Sequence, residues 1–111
     1  MENLELISCQ LIAASGTAKS CYIEAIEAAK TGDFEQAEDL IKEGSEAFLQ
    51  GHSAHASLIQ MSAQQDFNVP LLLVHAEDQM MNCEMMKIFA EQNIYLLKEN
   101  QQLKSAFGRT Q

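Results

Sequence analysis

The sequence has no tryptophan, one proline and only five glycines in 111 residues. So little turn chemistry excludes a sheet-rich fold, which needs frequent breaks, and leaves long helices. Cations are scarce too: seven Lys and Arg stand against sixteen Asp and Glu, a formal net charge of −9. A nucleic-acid or anionic-lipid surface needs clustered positive charge, so neither is expected as a partner. The cysteines, Cys9, Cys21 and Cys83, are odd in number, widely spaced and form no C-x-x-C pair. They support neither a disulfide framework nor a thiolate zinc site, and read as buried structural thiols of a reducing compartment. No apolar run reaches the roughly 18 residues of a membrane span. Glu2 and Glu5 spoil the start of a signal peptide, so the expected location is the cytoplasm.

What is present is helical periodicity. A 47% hydrophobic content supports the core of a single domain. Leu4, Ile7, Leu11, Ala14, Ala18, Cys21, Ala25 and Ala29 recur at steps of three and four. At Lys30-Thr31-Gly32-Asp33 the glycine suits a left-handed helix end and the aspartate an N-cap. A second stripe follows at Phe34, Ala37, Ile41, Gly44, Phe48, Gly51, His55 and Ile59. A polar stretch from Ser62 to Asn68 ends it, and Pro70 can occupy the first turn of a third helix. There Leu71, Val74, Asp78, Met81, Met85, Ile88, Gln92 and Tyr95 alternate steps of three and four, which is a coiled-coil seam. The spacing predicts helices over roughly 2–30, 33–63 and 70–103. The fold class is therefore all-α, an antiparallel up-down-up three-helix bundle. The domain spans 1–104 and residues 105–111 form a frayed tail.

Asp78 is out of place on that seam. A buried carboxylate there is costly unless it is paired or bound to a cation, and Lys87, nine residues on, is no helical neighbour. Copies of Asp78 meeting on a symmetry axis could share a divalent ion through oxygen ligands. A slightly rotated helix would instead leave it at a solvated edge. His75 lies three residues before Asp78, within reach of one turn, where a carboxylate can orient an imidazole. A lone histidine at a helix edge is also often only structural or solvated. His52 and His55 lie on or beside the apolar face of the second helix and could reach the third, so a His/His/Asp zinc site is open. No Gly-rich phosphate loop and no Ser/His/Asp arrangement is present.

Three stretches together carry a resemblance. Ser15-Gly16-Thr17-Ala18-Lys19-Ser20 is like a family G-x-A-x-S, and Ala28-Ala29-Lys30-Thr31-Gly32-Asp33-Phe34 like A-K-x-G-D-F. Leu71-Leu72-Leu73-Val74-His75-Ala76-Glu77-Asp78-Gln79-Met80-Met81 is like L-L-L-V-H-A-Q-D-H-L-M. In this order and spacing the chain resembles, over nearly its whole length, the IIA component of the lactose/cellobiose (chitobiose) class of the bacterial sugar phosphotransferase system. The resemblance implies a homotrimer packed through its third helices, a nine-helix assembly. It implies that His75 is the phosphoryl carrier, a transferase role through a phosphohistidine. The donor would be the histidine phosphocarrier protein HPr and the acceptor a cysteine of a cognate IIB component. It implies that Asp78 meets its symmetry mates at one divalent cation per trimer, magnesium. The sugar itself, a β-linked disaccharide, would be bound only by the membrane IIC component and never by this chain.

The sequence departs from the family pattern at four places. Gln79 stands where a histidine usually follows the metal aspartate, four residues from His75; it can donate a hydrogen bond but has no charge. Glu77 replaces a glutamine and, two residues from His75, is expected to point away and to affect partner contact. On the second helix His52 matches A-H-x-x-Q-T-x-L-I, but His55 and Ala56 replace its glutamine and threonine; His52 and His55 are both candidates to support the site, His55 in place of the lost histidine. The loop at 62–69 lacks the usual Gly-Glu-Lys character and is about a residue shorter. The alternative is a divergent regulatory paralogue, a trimeric partner-binding module without phosphoryl transfer. A histidine phosphotransfer domain of two-component signalling fits poorly, since Asp78 occupies its lysine position and no fourth helix can be accommodated.

Overall fold

The computed structural model describes residues 4–64 and 68–108. Three helices, α1 (Leu4–Lys30), α2 (Phe34–Gln64) and α3 (Leu71–Gly108), form a rod of 68 × 19 × 17 Å. The up-down-up three-helix bundle is as expected, with α1 parallel to α3 and α2 antiparallel to both. Residues 2 and 3 and the middle of the predicted second break, 65–67, lie outside the described residues. The tail expected at 105–111 is corrected in part: α3 continues past 103 through Gly108, with residues 101–108 exposed, and 109–111 lie outside the described residues. From Glu99 to Phe107 no glycine or proline interrupts a run of good helix formers, so the backbone has no reason to stop until Gly108.

The α1–α2 corner is built as its sequence implies. Gly32 takes φ +87°, its N–H bonds to Ala29 O at 3.0 Å, and the Asp33 N–H bonds to Ala28 O at 3.0 Å. That pair of bonds is a Schellman ending, which a side chain at residue 32 would strain. Asp33 Oδ1 then accepts from the Gln36 N–H at 3.1 Å and caps α2. Pro70 precedes α3 rather than opening it; its carbonyl accepts from the Leu73 and Val74 N–H groups at 3.0 and 3.3 Å.

The core is centred on α1, which packs along both other helices, whereas α2 and α3 meet far less. All the predicted α1 stripe is buried or half-buried, together with Ser8, Ser15 and Tyr22. The Ser8 hydroxyl is satisfied by Leu4 O at 2.7 Å, while Ser15 Oγ is buried with no hydrogen-bond partner among the described residues. Leu11, Leu58, Leu73 and Met80 fill one end of the rod; Ala25, Ala29, Leu40 and Ile94 fill the other. At the second end Lys98 also ties α3 to α2, donating to Glu38 at 2.9 Å with its ammonium 5.7 Å from the Phe34 ring centre. That hydrogen bond holds the exposed Glu38 carboxyl below its ordinary value. Of the cysteines, Cys21 and Cys83 are buried as expected, but Cys9 is exposed on the outer side of α1. Cys9 lies one position beyond Ser8, and the α1 stripe passes through Ser8 instead.

Gly44 and Gly51, seven residues apart, bring α2 against α1. A Cβ on Gly44 would stand 2.6 Å from Tyr22 Cε1, and one on Gly51 2.9 Å from Ala14 Cβ. Tyr22 is 1% exposed and cannot step aside. Gly44→Ala is therefore expected to destabilise the protein although alanine is the better helix former. Overpacking costs about 1–3 kcal/mol, and helix propensity returns about 1 kcal/mol. Chemical denaturation at fixed protein concentration measures the net loss, and a variant as stable as the native chain would refute the close approach.

Candidate functional site

The third helix carries two apolar stripes, and its own bundle uses the weaker one. Leu73, Ala76, Met80, Cys83, Ala90 and Ile94 are buried. The predicted seam faces outward: Leu71, Val74, Met81, Met85, Ile88 and Tyr95 are each more than half exposed. Within one chain this seam is a surface, and Asp78 is exposed in its midst. Six large apolar side chains aligned on one solvent face form a patch that soluble monomers rarely keep.

His75 is exposed beside this patch, in the second turn of α3. On the side of α3 that carries Leu73 and Glu77 opens a groove of about 380 Å³ whose lining includes Leu58, Ile59, Val69, Val74 and Glu77. The groove lies where the end of α2 and the start of α3 converge, so it is apolar walls with one carboxylate at the rim.

Each sequence-predicted partner of His75 finds its own place. Gln79, one turn further on, is half-buried, and its Oε1 accepts from Lys19 Nζ of α1 at 3.1 Å. His55 is engaged across the bundle: its Nε2 meets Glu77 Oε1 at 2.8 Å, which joins α2 to α3. Glu77 is thus turned toward α2, away from His75 as expected, but it binds within the chain. His52 is exposed, its ring 6.1 Å from Phe48 and 6.5 Å from His55. The His/His/Asp zinc reading is corrected: among the described residues of one chain no group of three His, Cys, Asp or Glu side chains can hold a metal ion. His52 and His55 stay with Phe48 and Glu77, while Asp78 sits on the outward stripe.

Lys19 is the residue that sequence reasoning missed. It lies 60 positions from Gln79, and only the parallel register of α1 and α3 brings the two together. Its ammonium has no carboxylate in ion-pair reach among the described residues. Its field reaches the α1–α3 seam, where burial pushes the Cys83 thiol up and Lys19 opposes that shift.

A family model described as "PTS system, Lactose/Cellobiose specific IIA subunit" matches residues 6–98. The chain is 33% identical over 87 residues to the lactose-specific EIIA component of Staphylococcus aureus strain N315, covering 78% of this chain and 84% of that one. It is 35% identical over 99 residues to the lichenan-specific phosphotransferase enzyme IIA component of Bacillus subtilis strain 168, covering 88% and 90%. The crystal structure of the cellobiose-specific enzyme IIA from Bacillus anthracis superposes with a TM-score of 0.86 at 34% identity, over 91% of this chain and 94% of that one. No described helix is long and apolar enough to cross a membrane. With its three helices, its exposed His75 and these relatives, the chain belongs to the lactose/cellobiose-specific IIA family and is a sugar phosphotransfer component of the phosphotransferase system.

Proposed function

We propose that this protein is a phosphocarrier in which His75 accepts a phosphoryl group from phosphorylated HPr and passes it to a cysteine of a cognate IIB component, for uptake of a β-linked disaccharide through IIC. The observation that carries this reading is an exposed His75 with the amide side chain of Gln79 one turn away on the same face of α3. A neutral imidazole nitrogen attacks phosphorus as the donor's N–P bond breaks. Both rings keep the proton on their other nitrogen, so the donor leaves as neutral imidazole and His75 becomes a phosphoimidazolium. In the second step the N–P bond breaks as an S–P bond forms to a thiolate, and His75 returns to its neutral state. Such transfers pass through a loose transition state, so the protein contributes mainly alignment and compensation of oxygen charge. No nucleotide site is needed, because the phosphoryl group arrives on a protein.

The working unit in this reading is a homotrimer, a nine-helix assembly in which the outward stripe of α3 meets its copies. Asp78 fits a divalent cation there, expected to be magnesium: one exposed carboxylate per chain cannot hold an ion alone, but three give hard oxygen ligands. The ion would neutralise three carboxylates that otherwise repel on the axis. Incubation with HPr, its phosphorylating enzyme and labelled phosphoenolpyruvate is expected to leave an acid-labile, alkali-stable label on the native chain. An unlabelled chain would favour a partner-binding module without transfer, for which the Gln79 and Glu77 departures are the motive.

A further inference from the structure

We infer that Lys19 is a positioning residue for the phosphoryl group on His75, acting through Gln79; the inference rests on the carrier reading above. An ammonium has only donors, so the atom it contacts at 3.1 Å is the carboxamide oxygen of Gln79. The Gln79 NH2 is thereby turned away from Lys19. Residues four apart on a helix have Cβ atoms about 6 Å apart on one face, so Gln79 is a turn from His75. Held at its oxygen by a cation, the amide is fixed in one of its two orientations and polarised toward a stronger N–H donor. It presents that donor on the face where the phosphoryl oxygens of phosphorylated His75 will lie.

The charge balance of the site gives the arrangement its purpose. A dianionic group on His75 has Glu77 and Asp78 within three residues, on a chain of net charge −9. The Glu77 carboxylate is occupied by His55. Lys19 is half-buried, bound to Gln79 and paired with no carboxylate among the described residues, so its charge remains available to polarise the Gln79 amide. Gln79 carries no charge of its own, and α1 supplies that charge from behind the amide.

The test is the initial rate of label transfer from phosphorylated HPr to the native chain, Lys19→Met, Lys19→Arg, Gln79→Leu and the Lys19→Met/Gln79→Leu double variant. Loss of a transition-state donor in Gln79→Leu is expected to slow transfer roughly 100-fold. Lys19→Met is expected to slow it about 10-fold, the worth of a charge-assisted contact. The double variant should be no slower than Gln79→Leu alone, because Lys19 acts through the amide. Lys19→Arg keeps the cation and should restore most of the rate. Nitrogen NMR adds a readout that simple stitching of α1 to α3 would not move. The Gln79 side-chain amide signals should shift on phosphorylation in the native and Lys19→Arg chains and clearly less in Lys19→Met. Should Lys19→Met fail to fold, Lys19→Gln, which keeps a polar contact without the charge, takes its place with the same expectation. Native-rate transfer in the charge-free variant, or full multiplication of the two single effects in the double variant, would overturn the role of Lys19. An unlabelled native chain would instead remove the carrier reading, so the two failures are distinguishable.

Discussion

Replacing His75 with alanine is expected to abolish phosphoryl transfer while leaving the fold and its stability intact. His75 is exposed and belongs to none of the core clusters. It donates and accepts no hydrogen bond within the described chain, so its removal leaves no orphaned group behind. Alanine is also the better helix former, by about 0.5 kcal/mol. The fold therefore loses nothing, and helical content and melting should match the native protein. The reaction loses its nucleophile, for which no neighbouring group can substitute from its present position. Loss of a nucleophile costs more than about 1,000-fold in rate, which for a carrier measured by stable labelling means no label. His52→Ala and His55→Ala should remain labelled, since those rings are engaged with Phe48 and Glu77. A label retained in His75→Ala and lost in either of the other two would move the carrier to α2 and end the present reading.

How much of this was legible in the sequence differs from helix to helix. The α1 stripe is buried or half-buried along its length because α1 packs along both other helices. In α3 periodicity selected Leu71, Val74, Met81, Met85, Ile88 and Tyr95, the larger and more apolar stripe, and that is the stripe facing outward. The stripe that packs inside includes small residues: Ala76, which clusters with Leu11 and Leu58, and Cys83 and Ala90, which cluster with Ala18 and Tyr22. A hydrophobicity pattern ranks the bulky stripe first; it contains no term for which stripe meets its own chain. Helix ends were legible where a chemical signal exists, as at Gly32 and Asp33, and not at the end of α3, where the stop comes only at Gly108.

The site divides in the same way. His75, Gln79 and Asp78 share one segment, so their spacing could be read directly. His55 with Glu77 and Lys19 with Gln79 are contacts between helices, set by the register of the bundle. Residue type gave no warning of either: Lys19 is one of seven cations on a chain where cations usually decorate the surface. The small residues around it hold the key, because Ala18 and Cys83 let α1 and α3 approach closely enough for Lys19 to reach across.

Asp78→Leu is expected to strengthen the assembly and free it from metal. In the proposed trimer three carboxylates converge among Val74, Met81 and Met85, side chains that water leaves when the helices associate. Without a cation each carboxylate is desolvated and repelled by two others; with one, the ion offsets the charge but not the whole cost of burial. The native trimer should therefore dissociate or lose thermal stability when a chelator removes the ion. Leucine extends the apolar stripe without a break at the position where Asp78 interrupts it. Substituting buried charge with packed hydrophobic side chains typically gains about 1–4 kcal/mol, enough to raise the association constant about 5- to 800-fold. Sedimentation of both chains with and without chelator reads this directly: the native mass should fall on chelation, and that of Asp78→Leu should not. Ile88→Lys, which places a cation on the same stripe away from the carboxylates, should break the assembly of either chain. If Asp78→Leu sediments as a monomer in the presence of magnesium, the ion is a required clamp rather than a remedy for repulsion. If the native chain is a monomer under every condition, the apolar stripe of α3 does not serve its own copies, and the assembly proposal falls with it.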